Sequence, residues 1–336
     1  MAEPSTYTYK AVGSADRRGV QAEDVSDIIS NIAPSETPLL SACKTKTSRG
    51  TIHEWIEDDL GSIPVATNKA VEGADAATTD LNTGTRYSNN TQISQKAYGV
   101  SGTFEASDNY GFDSAIAYAG AKAARMLKNE VDAVISGYYR QAKAGSGASD
   151  PDTGATTADI DSWLTQGDWA SDGSASAGTG TNNSTDGTDR AFTQTLLDNA
   201  VEAAWESGGR PSLIVTGPHN RKAFSTFDGM GNGAGANNIM RNDRASKTIV
   251  GTADVYMSNF GDLSIVTSRH IYKQNSLDAD AWLIDPEHIA MAYLRPWQES
   301  DLAKTGDSVN RQMLVEYALE VTNRKAHAHV ADLGAE

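Results

Sequence analysis

The chain has 336 residues, 39% hydrophobic and 21% charged, a composition that suffices for a sizeable core and argues against disorder throughout. Its formal net charge of −16 at pH 7 excludes a sequence-independent grip on DNA or RNA, because phosphate binding requires clustered Lys and Arg. The single cysteine, Cys43, excludes an internal disulfide and indicates a reducing compartment. The lack of a secretory apolar segment and of an 18-residue apolar run predicts neither export nor a membrane span.

Residues 1–47 are predicted to form an N-terminal arm. They start as a polar, extended stretch and continue with a short amphipathic piece around Val25, Ile28 and Ile29. The segment NIAPSETPLL, residues 31–40, then places two prolines within five positions. Its prolines interrupt a helix, and it is too apolar to remain a disordered tail, so we expect it to pack against a partner surface.

Residues 48–103 are predicted to form a long hairpin. TIHEWIEDDL alternates as a strand, with Ile52, Glu54 and Ile56 on one face, and the following residues to Arg86 are almost all small or polar. The return arm carries few large apolar residues. Because an isolated two-stranded hairpin is marginally stable in water, something outside the hairpin should hold it.

Residues 104–143 give the strongest helical signal. Within 113–142, apolar residues recur at steps of three or four, which predicts a helix of roughly 45 Å at about 1.5 Å per residue. These residues are Ile116, Ala119, Ala123, Leu127, Val131, Val134 and Tyr138. Residues 144–190 are rich in Gly, Ser and Thr and are predicted to form a surface loop that Trp163 and Leu164 attach to the body.

The remaining chain predicts two further units. Residues 191–280 read as an α/β unit, with a helix at roughly 193–207 and a buried strand followed by a helix that starts at Pro218. Residues 281–336 read as an antiparallel sheet with one buried face. Its clearest strand alternates Met313, Val315, Tyr317, Leu319 and Val321 with polar residues.

No motif selects an enzyme or a cofactor. GMGNGAG at 229–235 lacks the flanking strand and helix of a phosphate loop, and His327 with His329 could form only part of a metal site. His53 and His288 are better explained by ordinary packing or exposure. Cys43 has no nearby histidine and reads as a small buried hydrophobe.

The order of arm, hairpin, long helix, α/β unit and final sheet resembles the Hong Kong 97-type major capsid proteins of tailed phages. That resemblance implies an α+β fold in which these elements are the N-arm, E-loop, spine helix, A-domain and P-domain. DVSDIISNIAPSETPLLSAC and HEWIEDDL resemble the N-terminal signature of one phage subfamily. The matching residues are Asp24, Ser26, Asp27, Asn31, Ile32, Pro34, Glu36, Thr37, Pro38, His53, Glu54 and Trp55.

This resemblance implies a structural, non-enzymatic protein of the virion. It would assemble through hexamers and pentamers in the host bacterial cytoplasm into an icosahedral head that encloses double-stranded DNA. A portal and a separate scaffolding protein would be its partners, since the chain starts directly at the arm. The alternatives are an encapsulin-like nanocompartment shell, an intracellular hydrolase with an unrecognised site, and a self-associating adhesion module.

Within that interpretation, the proline-bounded segment is a rigid elbow. Leu39 and Leu40 would anchor it on the body beneath a neighbour's hairpin, and Arg17 and Arg18 could face packaged DNA. Lys69 lies where related shells form a covalent crosslink, but no matching partner residues are found, so crosslinking is not favoured. The residues expected at inter-subunit contacts are Asp27, Asn31, Pro34, Pro38, Leu39, Leu40, Trp55, Lys69 and Glu72.

Overall fold

A computed structural model describes most of the chain in several segments. The described residues are 36–58, 69, 71–73, 75, 83–107, 111–138, 142, 154–224, 227, 254–271, 280–304 and 306–334. GMGNGAG at 229–235 lies outside them, as do the first 35 residues of the arm. No helix among the described residues is long and apolar enough to cross a membrane.

Five α-helices are found in the described part. They are α1 (Pro38–Ala42), α2 (Gly102–Ala106), α3 (Ala115–Ala133), α4 (Gln194–Glu206) and α5 (Pro218–Ala223). Side-chain caps start three of them: Ser101 accepts a hydrogen bond from the Phe104 N–H, Ser114 from the Ala117 N–H, and Thr193 from the Leu196 N–H. These caps satisfy backbone donors that a helix leaves unpaired at its N-terminus.

The long helix α3 is shorter than predicted. Its 19 residues span about 28 Å, and its apolar stripe faces the core through Ala123, Leu127 and Val131. A single π-helical turn, Val134–Tyr138, follows, and Gly137 there adopts φ +112°. Only glycine tolerates that backbone conformation readily, so the chain turns out of the helix at this point instead of continuing to residue 142.

The described strands form three sheets. The strands are β1 (Lys44–Thr47), β2 (Ile52–Glu57), β3 (Thr85–Asn90), β4 (Gln92–Ser101), β5 (Gly167–Asp168), β6 (Leu213–Thr216), β7 (Val255–Ser258), β8 (Gly261–Thr267), β9 (Ala281–Ile284), β10 (Ile289–Asp301), β11 (Ser308–Val321) and β12 (Ala328–Val330). Their orders are β1-β10-β11-β4 in a four-stranded sheet, β5-β12-β9-β6-β8-β7 in a six-stranded sheet, and β2-β3 in the hairpin.

The four-stranded sheet is built on the long β10–β11 hairpin. The predicted alternation of β11 is confirmed, but the prediction of one buried face is wrong for residues 315–321, which are all buried. Glu316 and Glu320 occupy the polar face, and the hairpin base covers them. Buried carboxylates require charged or hydrogen-bonding partners, and β11 therefore becomes an attachment site for other elements.

The predicted return arm of the hairpin is divided between two sheets. Only β3 pairs with β2, in a register that joins Ile52 with Asn90 and Glu57 with Thr85. After Thr91 the chain continues as β4, which pairs antiparallel with β11 over ten residues. The segment 92–101 is thus a strand of the main sheet, because the long exposed edge of β11 offers it a full hydrogen-bonding ladder.

The six-stranded sheet joins parts of the chain that the sequence assigns to different domains. β6 pairs parallel with β8, and α4 packs over the sheet in a separate apolar cluster. β9 and β12, predicted to lie in the C-terminal sheet, pair with each other, and β9 also pairs with β6. The predicted boundary at residue 280 therefore does not separate two sheets.

The predicted surface loop 144–190 is partly an interior segment. Residues 157–164 are all buried, and Ile160, Trp163 and Leu164 belong to the main core cluster. The attachment through Trp163 and Leu164 is confirmed. The residues that follow are mostly half-buried or exposed, and two buried aspartates fix their backbone: Asp161 accepts hydrogen bonds from the Ser184 N–H and hydroxyl, and Asp332 from the Ala170 and Gly187 N–H groups.

Candidate assembly surface

The arm elbow is fixed to the C-terminal half of α3. Pro38 begins α1, a position where its missing N–H costs nothing, and Leu39 is fully buried in the core cluster with Leu127 and Val131. Leu40 is half-buried against the same cluster. Both leucines therefore lie against the subunit's own body, as the anchoring role requires, while their contact with a neighbour's hairpin stays a prediction.

A buried carboxylate holds the start of this short helix. The Leu40 N–H donates to Asp132 Oδ1 at 2.8 Å, and the Leu39 N–H also donates to this carboxylate. Burial raises the pKa of Asp132 to about 6, and the two backbone hydrogen bonds offset part of that rise. The arm and the helix α3 are thus joined through a group that changes protonation in mildly acidic solution.

The hairpin base packs on its own subunit through aromatic rings. Trp55, on the inner face of β2, is 8% exposed, and its ring centroid lies 5.0 Å from that of Trp163. Tyr87 on β3 meets Trp163 edge-on at 6.4 Å. In the described structure the Trp55 ring anchors the hairpin to the same chain, and its expected inter-subunit contact stays a prediction.

Glu320 on β11 binds two separate elements at the hairpin base. Its Oε2 lies 2.8 Å from His53 Nε2 on β2, and its Oε1 accepts a hydrogen bond from Lys46 Nζ on β1 at 2.7 Å. Burial opposes ionisation of Glu320, but the hydrogen bonds from His53 and Lys46 outweigh it and lower its pKa. One buried, ionised carboxylate therefore ties the arm strand and the hairpin to the main sheet.

A second carboxylate secures the other leg of the hairpin. Glu316 accepts hydrogen bonds from the Thr91 hydroxyl at 3.0 Å and from Arg295 Nε at 2.6 Å. Next to it, Asn89 donates to the Leu319 carbonyl at 2.7 Å and accepts from the Ala158 N–H at 2.9 Å. Both ends of the hairpin base are thus held by buried polar bonds.

The outer face of the hairpin presents apolar side chains to solvent. Ile52 and Ile56 lie on the same face of β2, as predicted, and are 56% and 71% exposed. Ile93, just past the hairpin, is also more than half exposed. Single exposed isoleucines are ordinary on protein surfaces, but here two lie on one face of the hairpin, on either side of the exposed Glu54, and form a mixed surface suited to protein contact.

The other expected contact residues give less information. Lys69 and Glu72 lie between β2 and β3 and are exposed. Arg17, Arg18, Asp27, Asn31 and Pro34 lie outside the described residues.

Sequence reasoning missed Asp132, Glu316 and Glu320, although the alternation of β11 had placed both glutamates on one face. Their partners are about 90 to 270 positions away along the chain, and only the folded topology brings them together.

The two C-terminal histidines serve structural roles in the described part of the chain. His327 Nδ1 accepts a hydrogen bond from the Asp285 N–H, and burial lowers the pKa of His327 to about 4. His329 lies between Asp161 and Asp280, at 3.5 and 3.3 Å. Burial disfavours its charged form, but these carboxylates outweigh that effect and raise its pKa. Among the described residues, no group of three or more potential ligands has metal-binding geometry.

Comparison with known proteins agrees with this architecture. The major capsid protein of Escherichia phage Phieco32 is 28% identical over 135 residues, which make up 40% of this chain and 36% of that protein. The chain therefore aligns with about a third of the length of this curated relative. Among solved structures, the cyanophage A-1(L) capsid has a TM-score of 0.62 at 12% identity, covering 93% of this chain and 97% of the other.

An encapsulin complex from Synechococcus elongatus shares the fold less closely. Its TM-score is 0.51 at 10% identity, with 95% of this chain and 94% of the other covered. These likenesses confirm the predicted α+β Hong Kong 97-type fold. A model of the SU10 major capsid protein family matches residues 5–334, almost the entire chain. The chain thus belongs to the SU10 major capsid protein family.

Proposed function

We propose that the chain assembles through hexamers and pentamers into the icosahedral head of a tailed phage, which encloses double-stranded DNA. Assembly takes place in the host bacterial cytoplasm with a separate scaffolding protein and a portal. The observation that carries this proposal is the hairpin, whose base is fixed by Trp55 and Glu320 while Ile52 and Ile56 face outward. A rigid base whose outer face carries two exposed isoleucines is suited to lie across another subunit.

The energetics support a contact of this kind. Full burial of an isoleucine contributes about 1.5–3 kcal/mol, so covering the exposed parts of Ile52 and Ile56 contributes roughly 2–4 kcal/mol in each contact. A single contact of that strength is weak. In a closed shell every subunit gives and receives the contact, and multivalent closure makes the whole assembly stable.

The arm would supply the second inter-subunit contact. The elbow at Pro34 and Pro38 restricts the directions in which the arm can leave the body, and Asp27 and Asn31 lie in the part that would reach a neighbour. Lys69 and Glu72 would meet a neighbour at the far part of the hairpin. Arg17 and Arg18 would face the packaged DNA, where the acidic remainder of the chain prevents tight adhesion.

Imaging and sedimentation of the full chain test the proposal. The protein is expressed alone and with the scaffolding protein of its own phage, and the particles are examined by negative stain and analytical ultracentrifugation. Capsomers of five and six subunits, or closed shells, are expected. A stable monomer under both conditions would contradict the proposal, and shells that take up a cargo protein in place of DNA would favour a nanocompartment.

A further inference from the structure

A groove separates α3 from the outer half of the β10–β11 hairpin. Its cavity volume is about 310 Å³, and its walls are mainly apolar, with Ala124 on one side and Trp297, Met313 and Leu314 on the other. Trp297 stays 38% exposed. A large aromatic side chain left partly open beside aliphatic neighbours is typical of a surface that binds a protein segment.

An irregular stretch of β10 directs Trp297 to this groove. The pairing of β10 with β11 shifts register between Tyr293 and Arg295 and again between Arg295 and Gln298. Pro296, within this stretch, has no backbone N–H to donate to the neighbouring strand. Bulges of this kind bend a strand and redirect its side chains. The opening beside α3 is therefore built into the backbone of the sheet.

The α3 rim of the groove is positively charged in a protein of net charge −16. Arg125 and Lys128 are exposed there. Lys122 is exposed one turn before Arg125, outside the groove, and Lys128 is the basic residue that lines the groove itself. Within the described residues, none of the three has a carboxylate at ion-pair distance. The opposite rim holds Glu299, which already accepts hydrogen bonds from Arg311 and the Tyr98 hydroxyl. A ligand for this groove should therefore be apolar on one side and acidic on the other.

One segment of this chain has that chemistry. Residues 20–32, VQAEDVSDIISNI, place apolar side chains at 25, 28, 29 and 32, the spacing of one helical face, and acidic side chains at 23, 24 and 27. No Lys or Arg occurs between Gly19 and Cys43. The segment thus complements the groove in both charge and hydrophobicity.

The described chain begins beside the groove-bearing sheet. The His270 side chain hydrogen-bonds the backbone of Glu36, and from there the chain passes through α1 into β1, which runs beside β10 as far as Tyr293. Residues 44–47 thus lie along the part of β10 that precedes its irregular stretch.

We propose that the groove between α3 and β10 binds residues 20–32 of another copy of this chain, with Asp24 and Asp27 facing Arg125 and Lys128. This inference rests on the proposed function, because it needs copies held side by side in a shell. The groove is then the binding site of the arm.

Photo-crosslinking in the full chain tests the site. Benzoylphenylalanine is incorporated in place of Gln298 on the exposed rim, and shells are assembled from a mixture of nitrogen-15-labelled and unlabelled chains. Mass spectrometry should find crosslinks to residues 20–32, with labelled and unlabelled peptides joined. The control places the same group at Met126, which is 42% exposed and about 160° around α3 from Lys128. Crosslinks to the scaffolding protein, to DNA or only within one chain would overturn the proposal.

Charge reversal provides the second measurement. Arg125→Glu with Lys128→Glu should lower the crosslink yield per assembled particle about three- to tenfold, and adding Asp24→Lys with Asp27→Lys should restore it. Lys122→Glu, about 120° around the helix from Lys128, should leave the yield unchanged. The assigned pairs are contradicted if Lys122→Glu lowers the crosslink yield as much as the double reversal does, or if the quadruple variant does not recover the yield. If the unmodified chain forms no shells at all, the proposed function fails, independently of the groove.

Discussion

Glu320 Oε2 lies 2.8 Å from His53 Nε2, which joins the middle of the main sheet to the first strand of the hairpin. His53 belongs to the HEW triplet, and Glu320 lies 267 positions later in the chain. Lys46 binds the other oxygen of the same carboxylate. The hairpin therefore leaves the body from a fixed point. Its orientation is determined by the hydrogen bond from His53 to the Glu320 carboxylate as well as by the packing of Trp55.

Replacing Glu320 by glutamine should destabilise the subunit at neutral pH. The change Glu320→Gln removes the buried negative charge that binds Lys46 and His53, at a cost of about 2–3 kcal/mol in the free energy of unfolding. Because the pKa of Glu320 is lowered in the folded protein, its contribution is present above the ordinary glutamate value of 4.5 and is lost as the pH falls through the folded pKa. Thermal melts should therefore show a difference from wild type that shrinks in strong acid.

Glu54→Gln is the matched control for that experiment. Glu54 lies next to His53 on β2, but its ion pair with Arg86 is solvent-exposed. Exposed pairs contribute little, so the change should stay within about 0.5 kcal/mol. Equal effects of the two substitutions would show that the buried position of Glu320 has no special role.

The contribution of Asp132 to the stability of the subunit should change with pH in the opposite sense to that of Glu320. Its pKa is raised to about 6 from 3.8, so keeping it ionised costs stability above pH 6, and that cost disappears as the pH falls below about 4. Asp132→Asn keeps an acceptor for the Leu40 N–H and removes the buried charge. We expect the variant to be more stable than wild type at pH 7, by about 3 kcal/mol at most, and equally stable near pH 4. A difference in melting temperature that does not vary with pH would contradict this assignment.

The elements with strong periodicity could be predicted from sequence. The helix predicted at 193–207 is α4 (Gln194–Glu206), and the alternation from Met313 to Val321 is strand β11. For α4, one face meets the core and the other does not, so the burial follows from the local sequence; for β11, the alternation predicts the strand but not the burial of its polar face. The signature residues around Pro38 and Trp55 also identified the fold class correctly.

Burial of polar segments could not be predicted in this way. Residues 157–164 include four polar residues, and their place in the interior depends on hydrogen bonds to distant groups, such as Leu319 N–H to the Thr157 hydroxyl. Glu316 and Glu320 likewise look like the solvated face of an edge strand. In each case the partner lies far away in sequence, and composition alone favours solvent exposure.

If the elbow is anchored as described, substitution of Leu39 should destabilise the subunit much more than substitution of the adjacent Leu40. Leu39 is fully buried, so Leu39→Ala should cost about 2–5 kcal/mol of subunit stability through lost contacts and a cavity. Leu40→Ala, at a half-buried position, should cost clearly less. The double change to serine should weaken the arm further, and capsids with unaltered thermal stability would contradict the anchoring role.

Removing the outer part of the hairpin should separate folding from assembly. Residues 62–84 lie beyond the strands β2 and β3, whose base contacts remain intact when the segment is replaced by a short Gly-Ser linker. We expect a soluble subunit with wild-type circular dichroism that forms no closed shells in sedimentation. Normal shells from this variant would show that the hairpin does not clasp a neighbour.

The outward isoleucines give the sharpest test of the hairpin contact. Ile52→Asp with Ile56→Asp changes side chains that are 56% and 71% exposed, so the stability of the unassembled subunit should change by no more than about 0.5 kcal/mol. In a shell the two carboxylates would be buried against a neighbour without partners, which strongly opposes assembly. Ile56→Val, which keeps the surface apolar, should assemble normally. Light scattering during assembly distinguishes the cases, and wild-type shell yield from the double aspartate variant would place the inter-subunit contact elsewhere on the chain.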